Sequence, residues 1–577
     1  LTSLTLPLRD RGFISDQRTG ALVAADGTLD WYCPGQFDRP ADLFGLLDPA
    51  GGAVRIGPGA GAGAAGSGGI AGQQSYVPDT NVLRTVVGDV ELLDFMPGNG
   101  ATGRIVRIVS ARRPTDVVVE VVPGHAFGPA RRVHAFSSGM AFDGLVVQTG
   151  FPIEGRRGVV RLDAGERVVV TIDTAAANHD PLTVTAALDL AALTEEHWRR
   201  QVAASTYDGP YAAAVRRSLL VLKGLTYAPT GAIVAAPTTS LPERVGGERN
   251  WDYRYTWLRD ASRAVEAMVA CGLDEAGEKF VDWLGRVLDP AEFPLAPVYD
   301  VEGGPVPEEH DLPLAGWRRS QPVRVGNAAS SQLQLDFYAD VVAVVEAVGV
   351  HDLWPPLARM ADWLAGEWDQ PDRGMWEIRC EPRHLVSSKL GCWYALSRLA
   401  ELGVRINGPL DLSAAGWRET AREVLAWIEE HGMAADGGLR HDDRVEDHPD
   451  ASLLAVAWKG PWPASERTVV KTVERVLAQL SDGPFVYRYP AAADDGLPAG
   501  EGAFVPCSFW AVRALAALGR WDEAHSRMEQ LVAFAGPLGL LPEEADPLSG
   551  DFLGNLPQAW SHLSLVNAAL ALTAGPR

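Results

Sequence analysis

Hydrophobic positions recur with a short period between about residues 50 and 175, and with a helical period after Leu193. The first regime is carried by GRIVRIVSARR (103–113), DVVVEVVPG (116–124), GLVVQTGFPI (144–153) and ERVVVTIDT (166–174). These valine-rich, turn-punctuated runs predict the antiparallel strands of a β-sandwich. A Gly/Ala stretch from Gly57 to Gly72 has nothing to bury and is expected to be a mobile loop. The second regime predicts twelve helices, beginning near Tyr207, Arg254, Glu275, Ala329, Leu353, Leu385, Leu412, Asp447, Ala464, Glu501, Trp521 and Leu556. Loops of alternating length between them predict six hairpins closed into a ring, an (α/α)6 barrel. The even-numbered helices have mixed faces, as in QLQLDFYAD, SSKLGCWYAL, DASLLAVAW, CSFWAVRAL and PQAWSHLSL. An inner ring needs such faces, because its N-terminal ends line a polar pocket while the rest packs a core. A helical-repeat solenoid would instead show self-similarity at a fixed period, and none is present. The expected organisation is a β-sandwich over 1–192, a helical linker and start of the barrel over 193–225, and an all-α barrel over 226–577.

Charge and cysteine usage narrow the function classes. A net charge of −23, from 74 acidic and 51 basic residues, repels nucleic acid and anionic membranes. Five cysteines, odd in number and never spaced as CxxC, indicate neither a disulfide framework nor a zinc site. No basic segment precedes an apolar one at the start, and no run of eighteen apolar residues occurs, so a cytoplasmic protein is expected, although a trimmed leader would leave no trace. The oligomeric state stays open.

Eighteen tryptophans offer many indole faces, which suit the C–H faces of sugars, and Trp257, Trp317, Trp376 and Trp560 sit beside clustered polar residues. The segment RNWDYRYTWLRDAS (249–262) opens the second helix. Within it, Arg259 and Asp260 supply a donor fork and an acceptor pair suited to vicinal hydroxyls, or else a structural ion pair at a helix N-terminus. LAGWRRSQPVRVGNAASSQLQLD (314–336), RGMWEIR (373–379) and LGLLPEEADPLSGDFLGNLPQAWSHLSL (538–565) each precede or open an even-numbered helix, so their polar residues converge on one mouth of the ring. Carboxylates converging with aromatics are what acetal hydrolysis requires: an acid to protonate the leaving oxygen and a base to activate water.

Several motifs in one order carry a resemblance to a known family. GFISDQRTGALVAADGTLDWYCPGQFD (12–38), AAPTTSLPERVGGERNWDYRYTWLRDAS (235–262), PVRVGNAASSQLQLD (322–336), EGAFVPCSFW (501–510) and GNLPQAWSHL (554–563) resemble bacterial members of glycoside hydrolase family 15, the glucoamylases, glucodextranases and trehalases. The resemblance implies a β-sandwich, a helical linker and an (α/α)6 barrel. It implies Glu377 as general acid and Glu543 as general base, with Glu544 the neighbouring competitor at the substrate. Arg259 and Asp260 match the pair that holds the outer hydroxyls of the terminal glucose, with Trp257 alongside. Trp317, Arg324, Gln558 and Trp560 are looser matches to pocket residues. The expected activity is exo-acting, anomer-inverting hydrolysis of short α-1,6- or α-1,4-linked gluco-oligosaccharides, releasing β-glucose without metal or cofactor. An α,α-trehalase is the alternative within the family, and an inverting sugar phosphorylase the alternative of another class. A non-catalytic glycan-binding protein is a third class, at odds with a retained acid and base. Ile378 stands where fungal members place a second acidic residue after the general acid, which touches recognition of the leaving sugar. No starch-binding module is appended, which favours short saccharides.

Overall fold

The computed structural model describes residues 6–59, 72–98, 103–174, 181–290, 292–349, 353–408, 411–444 and 447–575. Most of the expected Gly57–Gly72 loop lies outside them.

Two antiparallel sheets form the N-terminal sandwich. One runs, in spatial order, Arg11–Ser15, Gly20–Ala24, Thr28–Tyr32, Ala53–Pro58, Thr115–Val122 and Arg157–Leu162. The other runs Val133–Phe136, Gly139–Phe142, Leu145–Gln148, Arg167–Thr174, Ile105–Ala111, Val90–Phe95, Leu83–Val87 and Gln73–Tyr76. Each run of the short-period regime contributes a strand, because alternate residues face the shared core. The three strands between Arg11 and Tyr32 precede that regime and show no alternation, since every residue in them is buried. One of their faces meets the sandwich core and the other meets the helical domain. Ser15 Oγ donates to the carbonyl of Gly224 at 2.7 Å, and Trp31 Nε1 to that of Pro237 at 2.7 Å.

Helix α1 spans Val184–Ala203 and begins inside the segment the sequence assigned to the sandwich. Thr183 caps it by accepting from the amide of Ala186, and Ala187, Ala191, Thr194, Trp198 and Val202 form its buried stripe. The barrel follows as α2 (Ala212–Leu225), α3 (Leu258–Ala270), α4 (Asp274–Leu288), α5 (Tyr338–Val348), α6 (Trp354–Glu367), α7 (Val386–Asn407), α8 (Leu412–His431), α9 (Val456–Lys459), α10 (Arg467–Leu480), α11 (Val505–Ala517), α12 (Trp521–Phe534) and α13 (Ala559–Leu572). Helix α9 is one turn extended by the 3-10 segment Ala451–Ala455, and the sequence Gly-Pro-Trp-Pro directly after it ends the helix. The inner ring closes in the order α3, α5, α7, α9 with its 3-10 turn, α11, α13 and back to α3. These are the even-numbered helices of the sequence reading. Helices α7 and α13 stand opposite each other across the ring.

Candidate active site

At the N-terminal ends of the inner helices lies a pocket lined by aromatic, arginine and carboxylate side chains. Four stretches of chain build most of its wall. The first is extended: the amide of Ala236 bonds the carbonyl of Tyr253, that of Ser240 bonds Trp251, and that of Glu243 bonds Arg249. In an extended chain alternate side chains share a face, so Arg249, Trp251 and Tyr253 line the pocket. Asp252 and Arg254 turn away and pair at 2.6 Å, and Arg254 also donates to the carbonyl of Arg39 in the sandwich. The N-terminal domain thus braces this wall from behind.

The second stretch is the start of α3. Trp257 caps it from an extended residue, and Arg259 and Asp260 occupy its first turn, paired at 3.0 Å and almost wholly buried. Burial works against the Arg259 charge, but Asp260, Glu377 and Asp336 outweigh it and hold the guanidinium above its ordinary pKa. Its guanidinium also lies 4.5 Å over the ring of Trp560.

The third stretch carries Met375, Trp376, Glu377 and Arg379. Glu377 sits at φ 58°, in the left-handed region, a conformation that costs a non-glycine residue roughly 1–3 kcal/mol and persists where its surroundings enforce it. Its amide bonds the carbonyl of Gly374 at 3.1 Å, and Gln332 Nε2 donates to its carbonyl at 3.3 Å. Trp257 Nε1 donates to its Oε1 at 2.7 Å, Gln334 Nε2 does so at 3.4 Å, and Arg259 stands 3.7 Å from the same oxygen. The carboxyl retains 19% exposure, toward the pocket. Burial raises its pKa, while Arg259 and the Trp257 donor pull the other way. Such an acid keeps its proton longer than a surface carboxyl does. Trp376 donates to both oxygens of Asp450, at 3.0 and 2.9 Å, and stacks on Trp560. Ile378 is buried away from the pocket, and Arg379 lines it in that residue's stead.

The fourth stretch, before α13, presents Gln558 and Trp560 to the pocket. Gln558 also caps the helix, accepting from the amide of Ser561 at 3.0 Å. Glu543 and Glu544 lie on an extended strand here and so project in opposite directions. Glu543 is 1% exposed and reaches the pocket only past Tyr253, whose hydroxyl donates to its Oε1 at 2.6 Å; the amide of Asn555 donates to its Oε2 at 3.2 Å. Burial and the charge of Glu243 push Glu543 up to about 8. Glu544 points the other way, accepting from the amide of Gly502 at 2.7 Å. Burial and the neighbouring Glu243 and Glu501 raise it well above the carboxylate range. Its Oε1 has no hydrogen-bond donor, whereas Glu543 receives two, so a proton shared in this cluster rests on Glu544 and leaves Glu543 the more readily ionised.

Glu243, Glu501 and Glu544 bring oxygens within 4.8 Å of one another, a spacing a cation could bridge. Arg488 Nη2 stands 3.1, 2.5 and 3.8 Å from the three carboxylates, so the positive charge there is an arginine.

Of the residues the sequence singled out, the pocket brings together Trp257, Arg259, Asp260, Trp376, Glu377, Gln558 and Trp560. Four do not line it. Glu543 lies behind Tyr253, and Glu544 faces the arginine-filled cluster. Trp317 is buried, with the Arg318 guanidinium over its ring; an aromatic beside polar residues here is a core residue. Arg324 stacks on the outer side of the wall against Trp251 at 4.6 Å and donates to the carbonyls of Glu248 and Asn250. The sequence reading did not single out Arg249, Trp251, Tyr253, Arg379, Arg488 or Phe504, all of which line the pocket. The period-two spacing of 249, 251 and 253 is the signal that marks three of them.

A half-buried carboxyl on strained backbone, a second one held by a tyrosine, and an Arg–Asp pair between indole walls gather at this barrel mouth, groups of the kind that glycosidic-bond cleavage requires. The family model "Glycosyl hydrolases family 15" matches residues 209–529 and 522–570, and a "Trehalase-like, N-terminal" model matches residues 4–206. The chain belongs to glycosyl hydrolase family 15, whose members invert the anomeric centre. It is 34% identical to a trehalase of Mycolicibacterium smegmatis, over 98% of this chain and 91% of the relative. It is 32% identical to a trehalase of Thermoplasma volcanium, over 97% of this chain and 92% of the relative. In structure it is similar to a bacterial glucoamylase complexed with acarbose, with TM-score 0.73 at 12% identity, over 98% of this chain and 94% of that one. That likeness concerns the fold, the β-sandwich followed by an (α/α)6 barrel. Among the described residues no helix is long and apolar enough to cross a membrane.

Proposed function

We propose that the chain is an inverting α,α-trehalase that splits trehalose into two glucose molecules by single displacement. The similarity to trehalases along nearly the whole chain, sandwich domain included, carries the substrate assignment. It favours the trehalase alternative over the α-1,6- or α-1,4-linked oligosaccharides ranked first from sequence. A pocket that sets arginines and carboxylates among indole faces suits a substrate whose two halves are both hydroxylated pyranoses, and Arg379 in place of an acidic neighbour of Glu377 gives the leaving sugar a donor.

In this reading Arg259 and Asp260 grip one glucose against Trp560, and Glu377 protonates the bridging oxygen. Glu543 in its ionised form, fixed by Tyr253, takes a proton from water on the opposite face as that water attacks the anomeric carbon. The site needs no metal or cofactor for these steps. A phosphorylase would need cationic groups free for phosphate. Here Arg249 pairs with Asp495, Arg259 with Asp260, Arg379 with Glu309 and Arg488 with Glu501, so each pocket arginine already holds a carboxylate. Five cysteines without a disulfide support a reducing, cytoplasmic location.

The test is a comparison of kcat/KM on trehalose, maltose, isomaltose and panose, with phosphorus NMR for sugar phosphate. Trehalose is expected to lead by about tenfold or more, since a site built on hydroxyl contacts discriminates strongly. Equal or better cleavage of maltose or isomaltose, or formation of glucose 1-phosphate, would overturn the reading.

A further inference from the structure

A second cavity, of about 130 Å³, lies deeper along the barrel axis and shares Met375 with the catalytic pocket. Glu266, Tyr394, Arg513 and Asn567 line it, each eight residues after the first residue of its inner helix. At 1.5 Å per residue they form one level about 12 Å below the helix N-termini, where Arg259, Asp260 and Trp560 face the catalytic pocket.

The cavity's other charges are satisfied internally: Asp340 takes Arg263 at 2.9 Å and Lys459 at 2.9 Å. The four side chains of the ring make no hydrogen bond or ion pair with the described residues. Arg513 meets only an aromatic face, its guanidinium 4.5 Å over the ring of Trp458, and burial pulls its pKa down to about 10. Ser452, 3% exposed, also lines the cavity, and its Oγ is buried without a partner. A buried polar group is ordinarily paired, and the unpartnered Ser452 Oγ shares one space with a donor fork, a carboxylate, an amide, a second hydroxyl and an indole face. Glu266 beside Arg513 disfavours an anion, whereas a neutral polyol uses both, as acceptor and donor.

We propose that this lower cavity is a second sugar site that takes a single pyranose, free glucose. The naming of glucose rests on the proposed reaction. The site itself is read by binding without turnover, so the two claims fail separately. Arg263 and Met375 join it to the catalytic pocket, Arg263 lying 5.5 Å from the ring centre of Trp560.

The experiment is a titration of the full chain with ¹³C-labelled D-glucose, followed by NMR, on four proteins: wild type, Asp260→Ala, Glu266→Gln, and the double variant Arg513→Met/Asn567→Leu. Wild type is expected to bind one glucose molecule more per chain than either lower-cavity variant, while Asp260→Ala should keep the lower-cavity glucose and weaken binding only in the catalytic pocket. The two lower-cavity variants should keep initial hydrolysis rates near wild type, which also shows that they fold; Glu266→Gln, an isosteric change, guards against misfolding of the double variant. A lower-cavity variant that binds as many glucose molecules per chain as wild type would overturn the proposal.

Discussion

The two walls of the catalytic pocket hold their carboxyls by opposite means. Glu377 stands on left-handed backbone, open to the ligand, with an indole N–H and an arginine against one oxygen. Glu543 sits behind the pocket surface, held by a tyrosine hydroxyl and a backbone amide, next to a cluster of further carboxylates. In the proposed reaction the half-buried Glu377, open toward the pocket, reaches the glycosidic oxygen directly, as a proton donor must. The fixed and recessed group acts on something smaller than a sugar, which fits a water. Two carboxyls of one residue type thus receive different tasks from their surroundings.

The comparison breaks first at the carboxyls themselves. Glu377→Gln and Glu543→Gln should each lower kcat by about 10²–10⁴ or more while leaving trehalose binding in place, because each removes a proton-transfer group. Steady-state rates with a binding titration check this, and a variant that kept more than about a tenth of the activity would take the role from that residue. The clamp comes next. Asp260→Asn keeps the shape but loses the charge that pairs with Arg259, and a hydroxyl-binding site disrupted in this way should lose several kcal/mol, roughly 10²–10⁴ in kcat/KM. A normal rate with a depressed melting temperature would make the pair structural.

Smaller effects sharpen the second wall. Tyr253→Phe deletes the 2.6 Å hydrogen bond to Glu543; a bond to a charged group contributes about 1.5–3 kcal/mol, so kcat should fall roughly ten- to a hundredfold with KM little changed. Glu243→Gln should move the acidic limb of the pH–kcat/KM profile to lower pH. The negative charge of Glu243 raises the Glu543 pKa, so removing it lets Glu543 ionise at lower pH and extends activity in that direction. A limb that stayed in place or moved upward would contradict the electrostatic coupling. Glu544→Gln should change least, since Glu544 holds its proton and glutamine copies that form; kcat within about threefold of wild type is expected. A loss as large as that of Glu543→Gln would exchange the two assignments.

The legibility of the sequence follows the same division. The outer barrel helices, such as Asp274–Leu288 and Arg467–Leu480, were visible as 3.6-residue patterns because each buries one stripe and exposes another, whereas the inner helices Val505–Ala517 and Ala559–Leu572 are buried nearly all round and were read from their mixed composition. The strands between Arg11 and Tyr32 were hidden, since both faces are buried and nothing alternates. Within the site, Trp257, Arg259, Asp260 and Glu377 stand in dense local motifs at helix starts. Arg488 arrives from a loop with no periodicity and gains meaning only by meeting Glu501 together with Glu243 and Glu544, which are distant in the chain. Glu543 and Glu544 are equivalent neighbours in sequence, and only the extended backbone that sends them to opposite sides separates them. Trp317 and Arg324 show the reverse error, as polar-aromatic clustering marked residues that pack behind the wall.

The central claim is single displacement on trehalose, and the anomers of the first-formed glucose test it most directly. Both centres of the substrate are α. Attack by water held at Glu543 inverts one of them, while the leaving glucose departs with its own centre untouched. Proton NMR in the first minutes, before mutarotation mixes the signals, should therefore show α- and β-glucose in equal amounts. Double displacement through a nucleophilic carboxylate restores the first centre, so an initial product that is α-glucose alone would contradict both the mechanism and the role of Glu543.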